Sequence, residues 1–234
     1  MKIFRILFIV LFFCLSFFKL KAQHVELGVA LGTSYYLGEL NPDKHFVNLP
    51  RIALGVLYRK NWSKRYALRL SANYGRLNAT DQSSNSEWSA FRSMSFKTNL
   101  LEASGVLEFN FFPYQINNYT TYPFTPFVYI GAAAYRVAPT VEYEPTETTV
   151  NRKSFIAPSI PFGFGFKFNF IENLGLNLEW GMRKTFSDEI DGLSPTFDNG
   201  YQLSNSDNND WYSIALISLN YKILTKSDRC PVVK

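Results

Sequence analysis

Strict alternation of large apolar with small or polar residues constrains this chain most, and it is clearest in Ile160-Pro161-Phe162-Gly163-Phe164-Gly165-Phe166-Lys167-Phe168-Asn169-Phe170. A period of two is the signature of a β-strand, because successive side chains point to opposite faces. One face of this segment carries Ile and five Phe; the other carries Pro, Gly, Gly, Lys and Asn. Eleven residues suit a tilted membrane-spanning strand, which needs about 9 to 11. A soluble barrel turns its apolar face inward. Here the opposite face is small or polar, so it can fill a narrow lumen while the apolar face meets lipid.

The same reading along the chain predicts eight strands. Val25 to Leu37 presents Val25, Leu27, Val29, Leu31 and Leu37 outward, against Glu26, Gly28, Ala30, Gly32 and Ser34. Arg51 to Lys60 presents Ile52, Leu54, Val56 and Tyr58, and Tyr66 to Arg76 presents Tyr66, Leu68, Leu70, Ala72 and Tyr74. The fourth lies within Phe96 to Phe111, the fifth is Thr125 to Val137, and the phenylalanine ladder is the sixth. Leu176 to Phe186 and Trp211 to Ile223 complete the set. The expected fold is therefore all-β: an eight-stranded antiparallel transmembrane β-barrel with short periplasmic turns and longer external loops.

Connection lengths agree with that count. The links 61–65 and 171–175 are tight, and Pro113 to Pro123 joins strands four and five. The other links are longer polar stretches, at Glu39 to Pro50, Asn78 to Ala90, Pro139 to Ser154 and Ser187 to Asp210. An even strand number puts both ends of the barrel on the short-turn, periplasmic side.

The first 22 residues read as a cleaved secretory signal: a basic start with Lys2 and Arg5, an apolar run from Ile6 to Phe18, and Leu20-Lys21-Ala22 as cleavage site. The apolar run is shorter than the roughly 20 residues of a membrane helix. Lipid attachment at Cys14 is disfavoured by the bulky Phe13 before it. The expected organisation is a signal peptide over 1–22, an outer-membrane barrel over 23–223 and a periplasmic tail over 224–234. The formal charge of +5 owes four of its cations to the signal, and the remainder holds 20 Lys and Arg against 19 Asp and Glu. That near-neutral body lacks the basic face that nucleic acid requires.

Strand parity turns Glu26, Arg51, Arg59, Arg69, Glu102, Glu108, Lys167, Glu179, Arg183 and Lys222 inward. A barrel of eight strands has an interior just wide enough for side chains. Two readings of these charges are open, a core of satisfied ion pairs or a proton or ion path; an unpaired buried charge is costly, which favours the first.

Features that suggest chemistry are few. The histidines are His24 and His45, and no Ser-His-Asp or Cys-His spacing points at either. A lipid-modifying enzyme would need His45 near the external rim with a serine from another loop. Asp188, Glu189, Asp191, Asp198, Asp207 and Asp210 crowd the last long link without the calcium-loop pattern, and read as a solvated acidic loop. Gly163 and Gly165 lie inside a strand and make room in the lumen; they form no phosphate loop. No catalytic residue, cofactor, metal or small-molecule substrate is expected. After signal cleavage Cys230 is the remaining thiol, with Lys222, Lys226, Arg229 and Lys234 nearby to favour its thiolate, so it is a candidate for an intermolecular disulfide.

The order of several segments resembles the PorG-like family of the type IX secretion system. They are Glu26-Leu27-Gly28 through Leu31-Gly32-Thr33-Ser34-Tyr35-Tyr36-Leu37-Gly38-Glu39-Leu40-Asn41-Pro42, Tyr66-Ala67-Leu68-Arg69, Leu107-Glu108-Phe109-Asn110-Phe111-Phe112-Pro113-Tyr114, Phe124-Thr125-Pro126-Phe127, Ile160-Pro161-Phe162-Gly163, Leu178-Glu179-Trp180-Gly181-Met182-Arg183-Lys184-Thr185-Phe186-Ser187-Asp188 and Arg229-Cys230-Pro231. The resemblance implies a non-enzymatic outer-membrane component of the export machine of Bacteroidota, surrounded by outer-membrane lipids and working beside a periplasmic ring made of a lipoprotein and its partner. Cys230 would then tie the barrel to that ring. Two other classes share the composition: an autonomous small barrel for adhesion or membrane tethering, and a lipid-modifying outer-membrane enzyme.

Overall fold

The computed structural model describes residues 24–38, 40–41, 51–80, 94–114, 123–143, 148–171, 173–192 and 209–223. They form ten strands: β1 His24–Leu37, β2 Arg51–Asn61, β3 Tyr66–Thr80, β4 Met94–Asn110, β5 Phe124–Val137, β6 Thr140–Tyr143, β7 Thr148–Asn151, β8 Phe155–Ile171, β9 Leu174–Thr185 and β10 Trp211–Ile223. Every pairing is antiparallel. Eight long strands run in the order β3-β2-β1-β10-β9-β8-β5-β4, and pairing of β3 with β4 closes the cylinder. The expected eight-stranded barrel is therefore present.

Three details differ from the sequence reading. The link from Pro139 to Ser154, expected as a polar loop, contains the β6–β7 hairpin, which pairs with the far end of β4 through Phe96↔Val141 and Lys97↔Thr140. β-Branched Thr140, Val141, Thr148, Thr149 and Val150 supply its strand propensity. Strands β3, β4 and β8 also extend beyond the barrel proper, β8 starting at Phe155 rather than Ile160. Within β8, Pro161 has no N–H to give, and the ladder to β5 is interrupted between Ile130↔Phe162 and Ala133↔Ser159.

Along β3 and β4 the sense of the alternation inverts. In the lower part, the outward side chains are Tyr66, Leu70, Leu101 and Leu107, while Arg69, Asn73, Glu102 and Glu108 are buried inside. Beyond the facing pair Tyr74 and Leu101 the outward positions are Arg76, Asn78, Thr80, Ser95 and Lys97, and the inward ones are Leu77, Ala79, Met94, Phe96 and Leu100. An apolar exterior around a polar interior is stable in lipid; a polar exterior around an apolar interior is stable in water. The inversion marks where these strands leave the membrane. The nine residues from Tyr66 to Tyr74 match a spanning length of about 9 to 11.

Aromatic side chains gather at the short-turn end, where Trp62, Tyr66, Phe111, Phe112, Phe124, Phe170 and Tyr221 are all exposed. Such girdles sit at the membrane interface, where an aromatic ring is at home between lipid and water. No helix among the described residues is long and apolar enough to cross a membrane; the strands cross instead.

Candidate functional site

The lumen is lined by buried polar and charged side chains and is built in layers. Near the short-turn end Glu108 is the hub. Arg59 Nε donates to its Oε2 at 2.8 Å, Lys167 Nζ donates to the same oxygen at 2.6 Å, and Arg69 Nε lies 2.9 Å from its Oε1. Arg59 also donates through Nη1 to Glu26 Oε2 at 2.8 Å, and Arg69 reaches Glu179. Asn61 Nδ2 caps the other Glu26 oxygen at 2.8 Å, and Lys167 Nζ lies 4.6 Å from the centre of the Phe127 ring. The register explains the assembly: Glu26 faces Arg59 across β1 and β2, and also Lys222 across β1 and β10.

One layer up, Glu102 accepts from Arg183 Nε at 3.1 Å, Asn73 Nδ2 at 2.8 Å and Tyr212 OH at 2.8 Å. Between the layers stands Tyr129, and glycine makes its place. A Cβ at Gly163 would lie 2.8 Å from the Tyr129 hydroxyl oxygen, and one at Gly165 would lie 2.7 Å from the Phe127 ring. Charges so placed satisfy one another where water is excluded, the condition under which buried ions are tolerated.

The long-link end is closed by apolar packing. Tyr36, Leu40, Leu77, Met94, Phe96, Leu100, Tyr135, Val141 and Ile190 belong to one buried cluster over the mouth. Tyr36 and Phe96 pack edge to face at 4.8 Å. The Tyr36 hydroxyl reaches Asp191 Oδ2 at 2.9 Å and also meets an Asp210 carboxyl oxygen. One hydroxyl proton cannot serve both bonds, so the arrangement is satisfied when a carboxyl carries a proton too. Burial first, and the Asp191 carboxylate second, push the Asp210 carboxyl well above the usual range. Ile190 N donates to Asp210 Oδ2 at 2.9 Å, and Thr185 Oγ1 donates to the Asp210 carbonyl at 2.5 Å. The base of the last long link is thus fastened onto the mouth.

At the other end, two turns are bonded into one platform. Asn110 N donates to Arg65 O at 2.7 Å, Tyr114 N to Lys64 O at 2.8 Å, and Arg65 Nη1 to Phe111 O at 2.6 Å. Tyr114 is buried against the lumen, its ring centre 5.2 Å from Lys167 Nζ, while Phe111 and Phe112 stay exposed.

The structure brings together Glu26, Arg59, Arg69, Glu108, Lys167 and Glu179, and places Glu102 with Arg183 above them. Lys222 is buried at the short-turn end and donates to Ile171 O at 3.4 Å. Arg51 departs from its expected inward place. It has inward parity, but β2 begins there, beyond the last β2–β3 pair at Leu54↔Tyr74, so the side chain lies exposed at the rim with Nε on Asn78 Oδ1 at 2.9 Å. The acidic link is also not uniformly solvated: Asp191 and Asp210 are buried, because the Tyr36 hydroxyl and the Ile190 N–H offer them bonds inside the cap. Sequence reasoning missed Tyr36, Asn73, Tyr129 and Tyr212, whose signal was their inward parity. Asp198, Asp207, His45, Cys14 and Cys230 lie outside the described residues, and His24 opens β1. Among the described residues no group of three or more His, Cys, Asp or Glu could hold a metal ion.

The family described as Domain of unknown function (DUF6089) matches residues 5–232, and the chain belongs to that family. No curated protein matches it in sequence. Among solved structures, Ail, the attachment invasion locus protein of Yersinia pestis in complex with the heparin analogue sucrose octasulfate, is similar over 87% of this chain and 100% of its own, at 10% identity and a TM-score of 0.48. The N-terminal β-barrel domain of Pseudomonas aeruginosa OprF is similar over 86% and 97%, at 12% identity and a TM-score of 0.45. Neisserial surface protein A is similar over 87% and 98%, at 12% identity and a TM-score of 0.44.

Proposed function

We propose that this member of the DUF6089 family is a non-catalytic outer-membrane barrel that docks the periplasmic ring of a type IX protein secretion machine onto the membrane. The short-turn end supports this reading. The stretch Leu107 to Tyr114, one of those that resemble the PorG-like family, is bonded to the turn 62–65 and presents Phe111 and Phe112 outward, with Tyr114 closing the lumen behind them. A barrel filled with ion pairs offers a surface and not a passage. The partner in this proposal is the ring lipoprotein or its companion, and Cys230, in the tail that follows β10, is the candidate for a covalent tie. No nucleic acid and no small-molecule substrate enter.

Deletion of the gene is the test. In this reading export of many cargo proteins fails at once, and His24→Ala with His45→Ala leaves export intact. Normal export in the deletion strain, or a defect confined to His45→Ala with altered lipid A, would replace the docking role with the tethering or the enzymatic alternative.

A further inference from the structure

Above the membrane band, the outer face of the β3–β4–β6 sheet forms a depression of about 630 Å³. Its lining includes Arg51, Arg76, Lys97, Asn99, Thr140 and Glu142. Cross-strand pairing makes these residues neighbours: Arg76 lies opposite Asn99, and Lys97 lies opposite both Asn78 and Thr140. Arg76 and Lys97 are thus diagonal neighbours, about 7 to 8 Å apart, and Arg51 reaches the same area through Asn78. Glu142 pairs with Lys97, and Asn78 holds Arg51 at the rim. Three positive side chains against one carboxylate leave the depression electropositive.

Immediately below, the wall becomes apolar. Tyr74 OH donates to Asn99 Oδ1 at 3.2 Å at the boundary, and Leu70, Leu101 and Leu107 are exposed beneath it. We propose that this depression binds the phosphorylated headgroup of a lipid in the external leaflet, whose acyl chains lie along the β3–β4 wall. Arginine forks match phosphate oxygens in pairs, and lysine adds a point charge. A site of this charge that is continuous with a lipid-facing wall fits an amphiphile better than a wholly soluble anion. The inference rests on the membrane-spanning reading of the fold and not on the secretion role.

The test uses the full chain in detergent micelles and a labelled diphosphoryl lipid A probe, with the dephosphorylated lipid and inorganic phosphate as comparison ligands. The three cations are exposed, and retention of heat-modifiable migration checks that variants fold. The expected result is that the combined Arg51→Ala, Arg76→Ala and Lys97→Ala variant binds the probe about tenfold or more weakly, since each lost contact is a charge-assisted bond. Lys184→Ala, outward on β9, should change binding by less than about twofold. Dephosphorylated lipid should bind as weakly to the wild type as the probe binds to the triple variant, and millimolar inorganic phosphate should not displace the probe. Equal probe binding by the wild type and the triple variant overturns the site. Displacement by inorganic phosphate overturns the lipid assignment and leaves a free-phosphate site. An equal loss in Lys184→Ala shows charge attraction without a site.

Discussion

Arg59 and Glu108 meet inside the barrel near its short-turn end with neither side chain touching solvent, Nε donating to Oε2 at 2.8 Å. Arg69 and Lys167 converge on the same carboxylate, so one acid serves three cations, of which Arg59 also pairs with Glu26 and Arg69 with Glu179. Glu108→Ala should therefore destabilise the folded barrel by about 3 to 5 kcal/mol, the cost of leaving buried charge uncompensated. Glu108→Gln, which keeps an acceptor and the shape, should cost less. Urea unfolding in micelles measures both; a Glu108→Ala barrel as stable as the wild type would show that the cations find other partners.

Membrane exposure of the phenylalanine ladder gives a second expectation. Phe164 is 50% exposed on the outer wall, between Val128 and Trp180 in register. Phe164→Arg should cost about 2 to 4 kcal/mol if the residue lies near the bilayer midplane. Ser95→Arg, outward but above the inversion, should stay within about 0.5 kcal/mol. Equal effects at the two positions would mean that the inversion in β3 and β4 does not mark the membrane boundary.

The Asp210 carboxyl predicts a pH dependence at the mouth. Tyr36 from β1, Asp188, Asp191 and Ile190 from the last link, and Thr185 from β9 surround it. Its pKa is raised on folding, so the folded form binds more protons than the unfolded form. The stabilisation is complete below the ordinary carboxylate value of about 3.9 and is lost as pH rises through the raised value. Amide exchange in Thr185–Gly192, corrected for its intrinsic pH dependence, should show protection falling as pH increases. Asp210→Asn should remove that trend, and an unchanged trend would place its source elsewhere.

Much of this architecture was legible in the sequence because period two has the same meaning in lipid and in water. Leu100 and Leu101 show why the rest was not. Adjacent leucines break the alternation, and in the structure Leu100 is 0% exposed in the cap while Leu101 is 53% exposed on the wall. Hydrophobicity alone does not say which of two opposite faces an apolar residue serves once the solvent changes along the strand. Arg51 was misplaced for a related reason: parity gives direction but not height, and only the pairing register puts it at the rim. The Tyr36 contacts with Asp191 and Asp210 span 155 and 174 residues, and no local pattern encodes them.

The docking role depends on contact at the short-turn platform, and site-specific photocrosslinking from Phe112 in native membranes tests it most directly. Phe112 is exposed beside the buried Tyr114, so a probe there leaves the lumen undisturbed. The predicted result is a protein adduct containing the periplasmic ring lipoprotein or its companion, lost when the ring genes are deleted. Crosslinks to lipid alone, identical with and without the ring, would contradict the account.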